Sequence, residues 1–171
     1  MYRYRDFKLM NVCDLTGKKL GFINDLILNF QQGRISGFGL YSNKIFNNNI
    51  TILSEDVVCF DKNMIGKKVQ KIKANYLNFR EICNFDIVNE KGQIVGLAQD
   101  ILIDEKTFKI KGIVVSKGII NDFICGKKII LIDQLCFGDN SILNKMSNEK
   151  ISFDVTAKTN LQWLNCSDEN E

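Results

Sequence analysis

Two aspartates 75 residues apart sit in matching surroundings: Asp25 in Gly21-Phe22-Ile23-Asn24-Asp25-Leu26-Ile27-Leu28-Asn29, and Asp100 in Gly96-Leu97-Ala98-Gln99-Asp100-Ile101-Leu102-Ile103-Asp104. Paired carboxylates are the usual material for acid–base work or for holding a hard cation. Arg5 and Arg80 are spaced by the same interval, and each is followed by an acid, Asp6 or Glu81. A guanidinium fork suits a carboxylate, so these two either pair inside the fold or meet an acidic partner. The other reactive types argue against an enzyme. There is no histidine, which removes the commonest general base and transition-metal ligand together. The cysteines at 13, 59, 83, 125, 136 and 166 form no Cys-x-x-Cys and no zinc-ligand spacing. They are expected as free thiols filling apolar space. The Gly-Lys-Lys steps at Lys18-Lys19, Lys67-Lys68 and Lys127-Lys128 lack the spacing of a phosphate loop.

The matched spacing extends well beyond these residues. Shifting the chain by 75 positions lays Arg5 on Arg80, Gly17 on Gly92, Gly21 on Gly96, Asp25 on Asp100 and Gly37 on Gly112. Apolar positions coincide as well, among them Phe7/Ile82, Val12/Ile87, Leu26/Ile101, Leu28/Ile103 and Leu40/Val115. After a two-residue insertion, Val58-Cys59-Phe60 meets Leu135-Cys136-Phe137. A duplication explains this, and it changes the reading of the aspartates. A residue kept in both copies serves what both copies share, so Asp25 and Asp100 are expected to bond backbone N–H groups beside their strands.

Each copy reads as β. Short apolar runs such as Leu26-Ile27-Leu28 and Ile101-Leu102-Ile103 are bounded by Asp and Asn, as in buried strands. With no proline in the chain, turns fall to Gly, Asn and Asp. Gly17 and Gly92 occupy hairpin tips, while Gly21, Gly37, Gly96 and Gly112 lie inside strand patterns, where glycine marks a bulge or a close backbone approach. No segment has a sustained helical period, although Leu77–Cys83 has room for one turn. The expected architecture is all-β with little helix: two tandem small, highly curved barrels. Copy one spans 1–74 and copy two 75–147. An extension, 148–171, contains an alternating stretch at 151–157 and then an acidic end. The net charge of +3 neither demands nor excludes nucleic acid. No apolar run approaches the roughly 20 residues of a membrane span, and Met1–Asp6 lacks the apolar core of a signal peptide. These features place the chain in the cytoplasm.

The duplicated motifs resemble the PRC-barrel family. Its pattern is a polar first strand (Arg5-Asp6-Phe7; Arg80-Glu81-Ile82), a glycine hairpin (Gly17; Gly92), then Gly-x-x-x-Asp leading into an apolar strand (Gly21 to Asn29; Gly96 to Asp104). An acid before an apolar pair follows in each copy, at Glu55-Asp56-Val57-Val58 and Asp133-Gln134-Leu135. The resemblance covers about residues 1–145. Gly39 and the Asn43–Asn49 loop depart from it. The family includes the cytoplasmic domain of the photosynthetic reaction-centre H subunit, the C-terminal domain of the ribosome maturation factor RimM, and small proteins of spore-forming bacteria. It implies a non-catalytic docking module, with no catalytic residues, no metal and no cofactor.

The expected function is therefore an adaptor for a protein partner, with sporulation as one process the family suggests. The alternative is a ribosome- or RNA-associated factor by analogy with RimM. Homo-oligomerisation stays open. Lys67, Lys68, Lys71 and Lys73 join the two copies and read either as a lysine-guarded edge strand or as a basic surface for RNA or an anionic membrane. Function is best sought where the copies differ: Asn43–Asn49, its counterpart Gly118–Gly126, the basic linker and the tail.

Overall fold

The computed structural model describes residues 1–42, 50–71, 77–138 and 140–145. The Asn43–Asn49 loop, Lys73 and the 151–157 stretch lie outside them. In copy one the described elements are β1 (Tyr2–Arg3), α1 (Tyr4–Phe7), β2 (Asn11–Cys13), β3 (Lys19–Asn29), β4 (Arg34–Tyr41), β5 (Ile50–Leu53), β6 (Val57–Phe60), β7 (Asn63–Gly66) and β8 (Gln70–Lys71). Copy two contributes β9 (Leu77–Asn78), α2 (Phe79–Ile82), β10 (Asp86–Val88), β11 (Ile94–Ile103), β12 (Ile110–Ser116), α3 (Ile119–Cys125), β13 (Lys128–Leu131), β14 (Leu135–Phe137) and β15 (Ser141–Asn144).

The fold is mostly β. One sheet runs β6-β7-β2-β3-β4-β5-β8, with β9 pairing β3 off that path; the other runs β13-β12-β11-β10-β15-β14, with β1 pairing β11. This agrees with the all-β expectation; among the described residues neither strand order returns on itself as a closed barrel. The helical turn at Leu77–Cys83 is α2, and α1 is its equivalent. α3 was not expected at all.

The long strands are bent by bulges at equivalent places. Pairing of β2 with β3 steps from Val12↔Gly21 to Cys13↔Lys19, and β10 with β11 steps from Ile87↔Gly96 to Val88↔Ile94. Each step leaves one extra residue, Leu20 or Val95, and sharpens the local twist. The glycines beside these bulges are required by close approach. A Cβ on Gly21 would lie 2.3 Å from the Tyr41 carbonyl oxygen, and one on Gly96 2.6 Å from that of Ser116.

The chain divides into two compact units, Met1–Cys83 with Asp100–Gly112, and Asn84–Gln99 with Ile113–Glu171. The first unit therefore draws β9, α2 and the hairpin Asp100–Gly112 from the second copy. Phe108 of that hairpin packs with Phe38 and Phe60 at ring-centroid distances of 5.4 and 5.6 Å. To place its ring there it adopts φ +54°, where its equivalent Gly33 has +59°. A bulky residue in that region costs energy, which the aromatic packing offsets. In the second unit, Ile87, Ala98, Ile113, Val114, Val115, Ile130, Leu135 and Ile142 are buried apolar residues.

Candidate functional site

Within the first unit, the four residues that opened the sequence reading form a reciprocal clasp. The Arg5 Nε donates to Asp100 Oδ2 at 2.8 Å, and the Arg80 Nε stands 3.8 Å from Asp25 Oδ2. Each arginine thus reaches the aspartate of the other copy. The short strands that carry them are exchanged in the same way: Tyr2 and Arg3 pair with Ile103 and Leu102, and Leu77 and Asn78 with Leu28 and Ile27. Two pairs of equivalent residues meet each other directly. Tyr4 packs against Phe79 in a tilted pair with ring centroids 4.6 Å apart, and Arg34 forms a β-bridge with Lys109. Two backbone bonds flank that bridge, Ile35 N to the Phe108 carbonyl and Ile110 N to the Gly33 carbonyl, each at 2.8 Å. Equivalent residues in mutual contact lie on a local two-fold relation between the exchanged segments.

A bulge aims Asp25 into this clasp. Pairing of β3 with β4 passes from Ile23↔Leu40 to Asp25↔Gly39 and leaves Asn24 extra, which rotates the aspartate inward. The two aspartates then differ in how well they are satisfied. Asp100 accepts from Tyr4 N, from Ile101 N and from Arg5. Asp25 accepts from Leu26 N and is held by the Arg80 backbone, while the Arg80 guanidinium, 3.8 Å away, donates to the carbonyl and side-chain oxygens of Asn24. Burial consequently holds the Asp25 carboxyl above its ordinary range, against the pull of the Leu26 N–H and the Arg80 charge. Burial also raises the Tyr4 phenol, with the nearby Asp25 charge adding to it. Backbone bonding by both aspartates was expected from the repeat; the crossed arginines were one of several open alternatives.

Gly17 and Gly92 adopt φ +82° and +74° at their hairpin tips. Gly37 sits where a Cβ would be 2.7 Å from the Ile52 carbonyl oxygen. Gly112 is buried in β12. Lys67, Lys68 and Lys71 are exposed; Lys71 lies in β8, which pairs with β5 at its sheet's edge. Cys13, Cys59 and Cys136 are free thiols. Cys125 departs from the free-thiol expectation, since it is disulfide-bonded. Among the described residues no group of three or more His, Cys, Asp or Glu side chains converges as a metal site would. No helix among them is long and apolar enough to cross a membrane.

The surface feature missed by sequence reasoning is α3, in the second unit. It occupies most of Gly118–Gly126 and carries Ile119, Ile120, Phe123 and Ile124 at 90%, 77%, 85% and 48% exposure. The i, i+1, i+4, i+5 spacing of these four residues was the available signal, but two turns are too few to read with assurance.

The PRC-barrel domain family matches this chain twice, over residues 1–74 and 74–133. The chain belongs to that family and carries its domain in tandem. No curated protein matches the sequence.

Proposed function

We propose that this chain is a non-catalytic adaptor, two PRC-barrel modules that present a surface to a protein partner. The observation that supports this reading is the use made of the buried acids. Asp25 and Asp100 are the buried ionisable side chains among the described residues. Both are already engaged by backbone N–H groups and by arginines, so the carboxylates best placed for chemistry serve the fold.

The protein-facing surface we assign is the β6 edge. β6 ends its sheet's strand order beyond β7, with Val58 and Cys59 exposed. An edge of this kind accepts an added strand, with backbone bonds giving affinity and side chains giving selectivity. Affinity purification of the chain from its native cell, beside a Val58→Lys variant, tests the reading. A specific protein held at high salt and lost with the variant is expected. Recovery of RNA instead, with binding that falls steeply as salt rises, would favour contact through Lys67, Lys68 and Lys71.

A further inference from the structure

Helix α3 is amphipathic and leaves its apolar face exposed. At 3.6 residues per turn, Ile119, Ile120, Phe123 and Ile124 fall within about 140° of the circumference, and Asn121, Asp122 and Cys125 take the rest. In a surface helix the apolar stripe normally turns to the core. Here it turns to solvent, while on the other face Asn121 and Cys125 are exposed and Asp122 is half-buried. The Asp122 carboxylate accepts from Ser116 Oγ at 2.6 Å and from Lys117 N at 3.0 Å. Ser116 Oγ in turn accepts from Gly118 N at 3.2 Å, and Asp122 N donates to the Gly118 carbonyl at 2.9 Å. Gly118 and Gly126 close the two ends with φ +102° and +74°. These hydrogen bonds tie the first turn of the helix to the segment that leads into it.

We propose that α3 is an interfacial anchor, which inserts its apolar face into the surface of an anionic lipid bilayer. Two observations select lipid as the occupant. Side chains left 77–90% exposed at Ile119, Ile120 and Phe123 stand clear of their surroundings, as an inserting wedge does. The charges that flank the helix fit anionic headgroups. Lys117 precedes it and Lys127 and Lys128 follow, whereas its one acid, Asp122, is engaged by Ser116 and the Lys117 N–H. Lysines beside an interfacial apolar face are drawn to a negative membrane surface. Lys127 also bonds the Gln99 side chain, which fixes one of these cations next to the helix.

The inference is independent of the protein partner proposed above. The test is flotation of the full chain with phosphatidylcholine vesicles, with and without a minority of phosphatidylglycerol. The chain is expected to float with the anionic vesicles. Ile120→Ser with Phe123→Ser should lower partitioning about a hundredfold or more, while the circular-dichroism spectrum and melting curve stay unchanged, because both side chains are exposed. Lys117→Glu should weaken binding to the anionic vesicles only. In a Trp163→Phe background, Phe123→Trp should shift its emission to the blue on vesicle addition. Failure of the wild-type chain to float overturns the proposal, and so does flotation that the double serine variant leaves intact. Concentration-dependent dimerisation abolished by that variant, without vesicle binding, would overturn it in favour of a second copy as occupant. Salt-resistant capture of a protein through Val58 is unaffected by any of these results, so the two readings fail separately.

Discussion

Asp100 and Asp25 occupy equivalent positions and carry unequal loads. Asp100 satisfies two backbone N–H groups and one guanidinium, so Asp100→Ala leaves several polar groups short of a partner. It is expected to destabilise the chain by about 3 kcal/mol, against about 1–2 kcal/mol for Asp25→Ala, whose guanidinium partner stands off at 3.8 Å. Urea unfolding of the two variants side by side measures the difference. The same asymmetry sets the pH dependence. Burial raises the Asp25 pKa above its unfolded value of 3.8, so between those two values the folded chain binds more protons than the unfolded one. Stability therefore rises as pH falls through the raised value. Asp14 and Asp104 lie below 3.8, held chiefly by hydrogen bonds from Thr16 and Thr107. Their contribution is complete above 3.8 and is lost as pH falls through their folded values. A urea midpoint followed against pH should pass through a maximum in the acid range, and Asp25→Asn should remove the rise that precedes it.

At the scale of elements, two kinds of glycine make separate predictions. Gly21→Ala and Gly96→Ala place a methyl within 2.3 and 2.6 Å of a carbonyl oxygen, and each is expected to cost about 2–3 kcal/mol. Gly17→Ala meets open space and pays only for its positive φ, about 1 kcal/mol. Thermal melts of the three variants rank them. The close-approach glycines were legible in the sequence because they recur inside apolar strand patterns, and the turn glycines because they punctuate them. The Arg partners were not. Arg5 is 20 residues from Asp25 and 95 from Asp100, and spacing carries no information about which one the folded chain brings near. α3 escaped for a different reason. Its apolar period spans only the seven residues Ile119–Cys125, too short to stand out from a strand or a loop.

For the whole chain, the sequence shows a duplication and conceals the exchange between its copies. β1 leaves copy one to pair with β11, β9 leaves copy two to pair with β3, and Phe108 lends its ring to the aromatic cluster around Phe38 and Phe60. The first compact unit accordingly needs residues from both halves. A half chain would leave that unit's β3 without β9, and Asp25 without Arg80. The loss of buried apolar area is large for a segment already near the lower size limit of a stable domain. The most direct test expresses residues 1–74 and 75–171 as separate fragments and records the amide NMR spectrum of the first, alone and with an equimolar amount of the second. The exchange predicts narrow, unfolded-like dispersion for 1–74 by itself and native dispersion on mixing. A 1–74 fragment that is well dispersed and unfolds cooperatively on its own would contradict it.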